Sequence, residues 1–148
     1  MSIFRINPYI GYNNIKYNIS QEDVKKIDGV ASKIEINNIM MKVYEYRDAS
    51  IKLTFVEDNF VEVWIPQKPA DNQVFLVDFM ELDLFDVNTV EILKSKYEFE
   101  ESKDKRKILF EELGLCLWGF GEKKTKEGKI VMAFAKNRLS WYKSFMNA

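Results

Sequence analysis

Leu82-Asp83-Leu84-Phe85-Asp86-Val87-Asn88-Thr89-Val90-Glu91-Ile92-Leu93 is followed by a charged run and then by Leu113-Gly114-Leu115-Cys116-Leu117-Trp118-Gly119-Phe120. The pattern reads as a strand end feeding a capped helix, a polar excursion, and the first arm of a buried hairpin. Asn88 can accept a hydrogen bond from the free amides of the first turn while Glu91, three residues on, reaches back to complete a capping box. Val87 and Ile92 take the flanking staple positions. The same device stands earlier in the chain, where Ser20 is the cap, Asp23 the third-position acid, and Ile19 faces Val24. Tyr17-Asn18-Ile19-Ser20 thus matches Phe85-Asp86-Val87-Asn88 type for type, and each predicted helix precedes a polar stretch and a pair of apolar strands. The fold class expected is α+β: a largely antiparallel sheet with two short capped helices packed on it, arranged as two repeated helix-plus-hairpin units if the match is a true repeat.

Working outward, Met1 to Asn18 reads as an extended lead-in or edge strand. The first helix runs from Ser20 to Asp28 and stops at Gly29, with Ile19, Val24 and Ile27 as its apolar stripe. Strands are expected at Ile34 to Ile36, Met40 to Tyr46, Ile51 to Val56 and Phe60 to Ile65. Ile51, Leu53 and Phe55 alternate with Lys52 and Thr54, the period of a half-buried strand, and Glu57-Asp58-Asn59 closes a hairpin. Pro66 and Pro69 end this region, and 66–73 is the one candidate half-boundary in what reads as a single domain over residues 1–148. Val74 to Met80 looks like a buried central strand in which Asp78 turns to solvent or to a lysine, because an unpaired carboxylate inside a sheet is costly. The second helix puts Val90, Leu93 and Tyr97 on one face. Glu98 to Lys107 reads as a solvated charge run. Leu115 to Phe120 and Ile130 to Ala135 form a hairpin across a basic loop, and Leu139, Tyr142, Phe145 and Met146 predict a short closing helix or edge segment.

Composition narrows the chemistry. The 148 residues contain no histidine and one cysteine, Cys116. No internal disulfide is available, and the Ser-His and Cys-His nucleophile pairs and the common zinc sites are absent. Cys116 between Leu115 and Leu117 reads as a buried, inert thiol. Paired carboxylates such as Glu100-Glu101 or Glu111-Glu112 diverge on a strand or a helix, and no phosphate-cradling glycine loop is present. The expectation is a non-enzymatic protein that uses no cofactor and no metal. No apolar run is long enough to span a bilayer, and Met1-Ser2-Ile3-Phe4-Arg5 has no signal-peptide core, so a cytoplasmic location without membrane contact is expected.

Charge is unevenly placed although it totals only −1. Residues 1–70 are balanced, residues 71–101 carry −7, and residues 102–148 carry +6. One reading pairs the acidic segment with lysines inside the monomer. The other makes it a face for a basic partner, formed by Asp78, Glu81, Asp83, Asp86, Glu98, Glu100 and Glu101, with Tyr97 and Phe99 as aromatic anchors. The 18 lysines against 4 arginines follow an AT-rich codon usage, which weakens lysine count as a nucleic-acid signal.

The capped helix and sheet, the element Leu82-Asp83-Leu84-Phe85-Asp86-Val87-Asn88-Thr89-Val90, the run Phe110-Glu111-Glu112-Leu113-Gly114-Leu115-Cys116-Leu117-Trp118 and the closing Trp141-Tyr142 together resemble immunity proteins of bacterial polymorphic and contact-dependent toxin systems. The resemblance implies a cytoplasmic inhibitor whose partner is a cognate toxin domain. Two alternatives remain open. The chain could bind single-stranded nucleic acid through Lys123, Lys124, Lys126 and Lys129 and the stretch Lys103 to Lys107, a less favoured partner. It could also be a small-molecule-binding or structural module.

Overall fold

A computed structural model describes residues 2–47, 50–67, 75–120 and 128–147. The alternation in the middle of the chain produces a four-strand antiparallel meander: β4 (Lys33–Asn37), β5 (Lys42–Arg47), β6 (Ile51–Val56) and β7 (Asn59–Pro66). Glu57 and Asp58 both take positive φ, 50° and 64°, so the β6–β7 hairpin closes on a two-residue turn of the primed kind that matches strand twist. A second meander comprises β10 (Glu100–Glu101), β11 (Lys107–Phe110), β12 (Leu115–Trp118) and β13 (Ile130–Phe134). β13 pairs antiparallel with β7, which welds the two into one eight-stranded sheet, β10-β11-β12-β13-β7-β6-β5-β4.

A five-stranded sheet lies over one face of it. Its strands are β1 (Ser2–Asn7), β2 (Gly11–Tyr12), β3 (Ile15–Lys16), β8 (Phe75–Phe79) and β9 (Leu82–Asp83), in the order β3-β2-β1-β8-β9. β1 and β8 run parallel at its centre. The lead-in read as an edge is therefore an internal strand, because β8 returns to cover its open side. The halves share an order of elements: strands for the small sheet, a helix, then a four-strand meander for the large one. Both halves contribute to both sheets. The candidate boundary at 66–73 falls almost wholly outside the described residues.

Side chains between the sheets make the larger core. Phe4, Ile6, Phe75, Val77 and Phe79 meet Leu53, Phe55, Val63, Ile65, Leu115, Leu117 and Val131, all buried. Fully burying such a side chain is worth about 1.5–3 kcal/mol, so this interface outweighs any surface ion pair. α1 (Gln21–Asp28) and α2 (Val87–Lys96) add Val24, Val90 and Leu93 to the same core. On the opposite face of the large sheet, α3 (Leu139–Met146) lays Tyr142 and Met146 on Leu109, Cys116, Met132 and Phe134. The tail is thus a helix that covers one half of that face.

Several local expectations need correction. α1 is capped as read, Ser20 Oγ accepting from Asp23 N at 3.1 Å. Ile27, however, is 49% exposed, because the short helix presents only Val24 squarely to the sheet. α2 is capped by Asp86, whose side chain accepts from Asn88 N at 2.8 Å. Asn88 lies inside the helix, so the Asn88–Glu91 capping box does not form. The charge run holds strand β10 and ends in β11, where Lys107 is buried and donates to the Phe145 carbonyl at 2.6 Å. An aliphatic stem ending in a carbonyl partner lets a lysine sit under α3.

Candidate functional site

The nine residues of the acidic segment do not share one role. Asp78 turns outward from β8 and its carboxylate meets Arg5 Nε at 3.0 Å, an arginine in place of the lysine or solvent expected for it. Asp83 Oδ1 accepts from the amides of Val77 at 3.3 Å and Phe85 at 3.1 Å, fixing the turn out of β9. Asp86 is the cap of α2. Glu101 lies between Lys94, at 3.6 Å, and Lys105, at 3.0 Å, and the hydrogen bond from Lys105 leads the causes that hold its carboxyl below the usual range. These four carboxylates are engaged within the fold.

The other five residues cluster around the end of α2. Tyr97 ends the helix and points its hydroxyl at Met80 Sδ, 3.9 Å away, beside Glu81 at the β8–β9 turn. Met80 is 52% exposed and Phe99 45%. Phe99 rests on the edge of Phe110 and under the Lys94 ammonium, 5.2 Å from the ring centroid. Glu81, Glu98 and Glu100 are exposed and make no ion pair among the described residues. The result is a shoulder on which Met80, against Tyr97, and Phe99 are exposed near Glu81, Glu98 and Glu100, with Lys94 and Lys96 of the last turn of α2 lining the same hollow as Tyr97, Glu98 and Phe99.

A second constellation lies on the large sheet, on the half that α3 leaves open, and the sequence reading missed it. Strand register puts Lys42 and Tyr44 of β5, Lys52 and Thr54 of β6, and Glu62 and Trp64 of β7 on one face. Glu62 is buried and accepts three hydrogen bonds: Arg138 Nε at 2.8 Å, Tyr142 Oη at 3.2 Å and Thr54 Oγ1 at 3.0 Å. Trp64 Nε1 donates to Tyr142 Oη at 3.0 Å. Burial pushes the Tyr142 hydroxyl well above the ordinary phenol range. The Lys52 ammonium sits 3.7 Å from the Trp64 centroid and 4.8 Å from that of Tyr44, while Lys42 and Arg138 approach Trp141 at 5.9 and 4.4 Å. Desolvation, then repulsion from Arg138, lowers the Lys42 pKa. Lys52 is lowered chiefly by desolvation, with Arg138 and Lys42 adding to the effect and Glu62 opposing it.

Cys116 is fully buried beneath α3 and burial pushes its thiol up to about 12, so it is no nucleophile at neutral pH. Among the described residues no group of three or more histidine, cysteine, aspartate or glutamate side chains is placed to hold a metal. No described helix is long and apolar enough to cross a membrane. The basic loop residues Lys123, Lys124 and Lys126 lie outside the described residues, whereas Lys107 is committed to α3. The fold and these two surfaces define an α+β protein of two mostly antiparallel sheets with small helices. Set against protein-family models, curated proteins and solved structures, the chain matches none of them.

Proposed function

We propose that this is a non-enzymatic protein-binding module that inhibits a basic partner domain, the role implied by its resemblance to toxin-system immunity proteins. The observation that carries the reading is the shoulder at the end of α2, where Phe99 and Met80 are exposed and the neighbouring Glu81, Glu98 and Glu100 make no ion pair among the described residues. An apolar anchor beside carboxylates without an ion-pair partner suits a protein surface rich in lysine and arginine. The carboxylates steer the encounter and the anchor slows dissociation. The docking surface is accordingly Glu81, Tyr97, Glu98, Phe99 and Glu100, whereas Asp78, Asp83, Asp86 and Glu101 are engaged within the fold.

The test is capture of the product of the neighbouring reading frame, followed by binding kinetics at two salt concentrations. Glu98→Lys with Glu100→Lys is expected to slow association about tenfold and to abolish most of its salt sensitivity. Phe99→Ala is expected to weaken affinity by at least about tenfold, mainly through faster dissociation. Asp83 is a poor probe because its loss disturbs the turn. Unchanged kinetics in both the charge-reversed and the Phe99 variants would remove the shoulder from the mechanism.

A further inference from the structure

The open half of the large sheet carries a charge imbalance that the fold does not resolve. Lys42, Lys52 and Arg138 surround a single carboxylate, Glu62. That carboxylate is turned to Arg138, Tyr142 and Thr54, and neither lysine has a hydrogen bond or ion pair to it. Lys42 is only 8% exposed, yet its ammonium has no hydrogen-bonding or ion-pair partner among the described residues. Arg138 uses Nε alone, leaving its two terminal nitrogens without a partner there. On the rim of the same face Lys33 and Glu35 form a closed pair at 3.0 Å, with Tyr46 donating to the same glutamate at 3.3 Å, and Glu57 and Asp58 line a hollow next to Lys42. Among the described residues, three cations against one anion leave a local charge of about +2 on a partly desolvated stretch of the sheet face beside Trp64, Trp141 and Tyr44.

We propose that Lys42, Lys52 and the free edge of the Arg138 guanidinium form an anion-binding site that takes a phosphate group as its dianion, free or as a monoester. The charge match favours that group over a carboxylate, which would leave one cation uncompensated. Its three equivalent oxygens meet two ammonium groups and one guanidinium edge, donors that suit phosphate geometry. Bound phosphate would draw Lys52 away from the rings it now lies against. Glu62 is a positioning residue here, since it orients Arg138 and touches no ligand.

The experiment titrates inorganic phosphate and adenosine monophosphate into the full chain, with acetate, and with chloride at matched ionic strength, following tryptophan fluorescence and line positions of the lysine ammonium groups by NMR. Saturable phosphate or monoester binding, at least tenfold weaker in Lys42→Met and in Lys52→Met while both variants keep the parent's thermal midpoint within a few degrees, is the expected result. Tighter binding of the monoester identifies a ligand-borne phosphoryl group, and equal or weaker binding identifies the free ion. Acetate binding as tightly as phosphate overturns the dianion match. A response no different from chloride, or unchanged titrations in both lysine variants, overturns the site. If a lysine variant loses its fold, charge-keeping Lys42→Arg and Lys52→Arg must retain saturable binding for the proposal to stand.

Discussion

Arg138 Nε lies 2.8 Å from Glu62 Oε1, and both side chains are almost wholly removed from solvent. The pair ties the lead-in of α3 to the centre of β7. Removing Arg138 leaves Glu62 buried with only the hydroxyls of Thr54 and Tyr142 as hydrogen-bond donors, and breaking a buried pair in this way costs about 3–5 kcal/mol. Arg138→Met should therefore lower the urea midpoint steeply. The double variant Arg138→Met with Glu62→Gln should recover part of that loss, since it leaves no buried carboxylate without its guanidinium partner. Equilibrium unfolding of the two proteins checks the difference.

Asp86, and not Asn88, accepts from the first turn of α2. Asp86→Ala should cost about 1 kcal/mol, the usual effect of deleting a cap. Asn88→Ala should change stability by no more than about 0.5 kcal/mol, as expected of an exposed position without a capping role. Denaturant midpoints for both variants distinguish the two residues.

Burial holds the Cys116 thiol protonated to about 12, whereas a free thiol here has a reference value of 9.0. The folded pKa is the raised one, so the stabilisation is complete below pH 9 and is lost as pH climbs towards the folded value. In that window the folded state binds more protons, and stability falls by about 1.4 kcal/mol per pH unit from this group. Cys116→Ala should flatten the limb between pH 9 and the onset of tyrosine ionisation. Tyr17 and Tyr142, also raised by burial, should keep a decline above pH 10 in both proteins. Thermal midpoints measured from pH 7 to 11 read this out.

Gly114 takes φ 61° where the chain leaves the short turn Glu111–Leu113 for β12. A Cβ there would stand 2.8 Å from the Phe134 carbonyl oxygen and 2.8 Å from the Tyr9 ring. The carbonyl belongs to the sheet and cannot withdraw. Gly114→Ala should cost about 2 kcal/mol or more from combined strain and collision, visible as a lowered thermal midpoint. Gly29→Ala, where a Cβ meets open space, should cost less and reflect φ 77° alone.

How much of this was legible follows from the range of each signal. The period-two runs at Ile51–Val56 and Phe60–Ile65, the Ser20 cap and the outward turn of Asp78 are local and were readable. Strand β11 was obscured because Lys107 opens it, and a buried lysine is recognisable only once α3 supplies its carbonyl. The acidic segment read as one face, since sequence records charge but not which carboxylates are taken up by turns: Asp83 and Asp86 serve backbone amides within six residues, and Arg5 reaches Asp78 from 73 residues away. The sheet-face cluster was half visible. Lys42 with Tyr44, Lys52 with Thr54, and Glu62 with Trp64 have the right parity, but their register and the arrival of Arg138, 76 residues from Glu62, belong to tertiary structure.

The seam between β7 and β13 bears on how the protein is made. During synthesis β4 to β7 emerge long before β13, and β1 must wait for β8. A nascent first half would hold a complete meander with one raw strand edge and an uncovered apolar face, features that recruit chaperones or neighbouring chains. Pairings this distant in sequence are slow to close. Premature termination before Ile130 should therefore yield an insoluble fragment, not a smaller working protein.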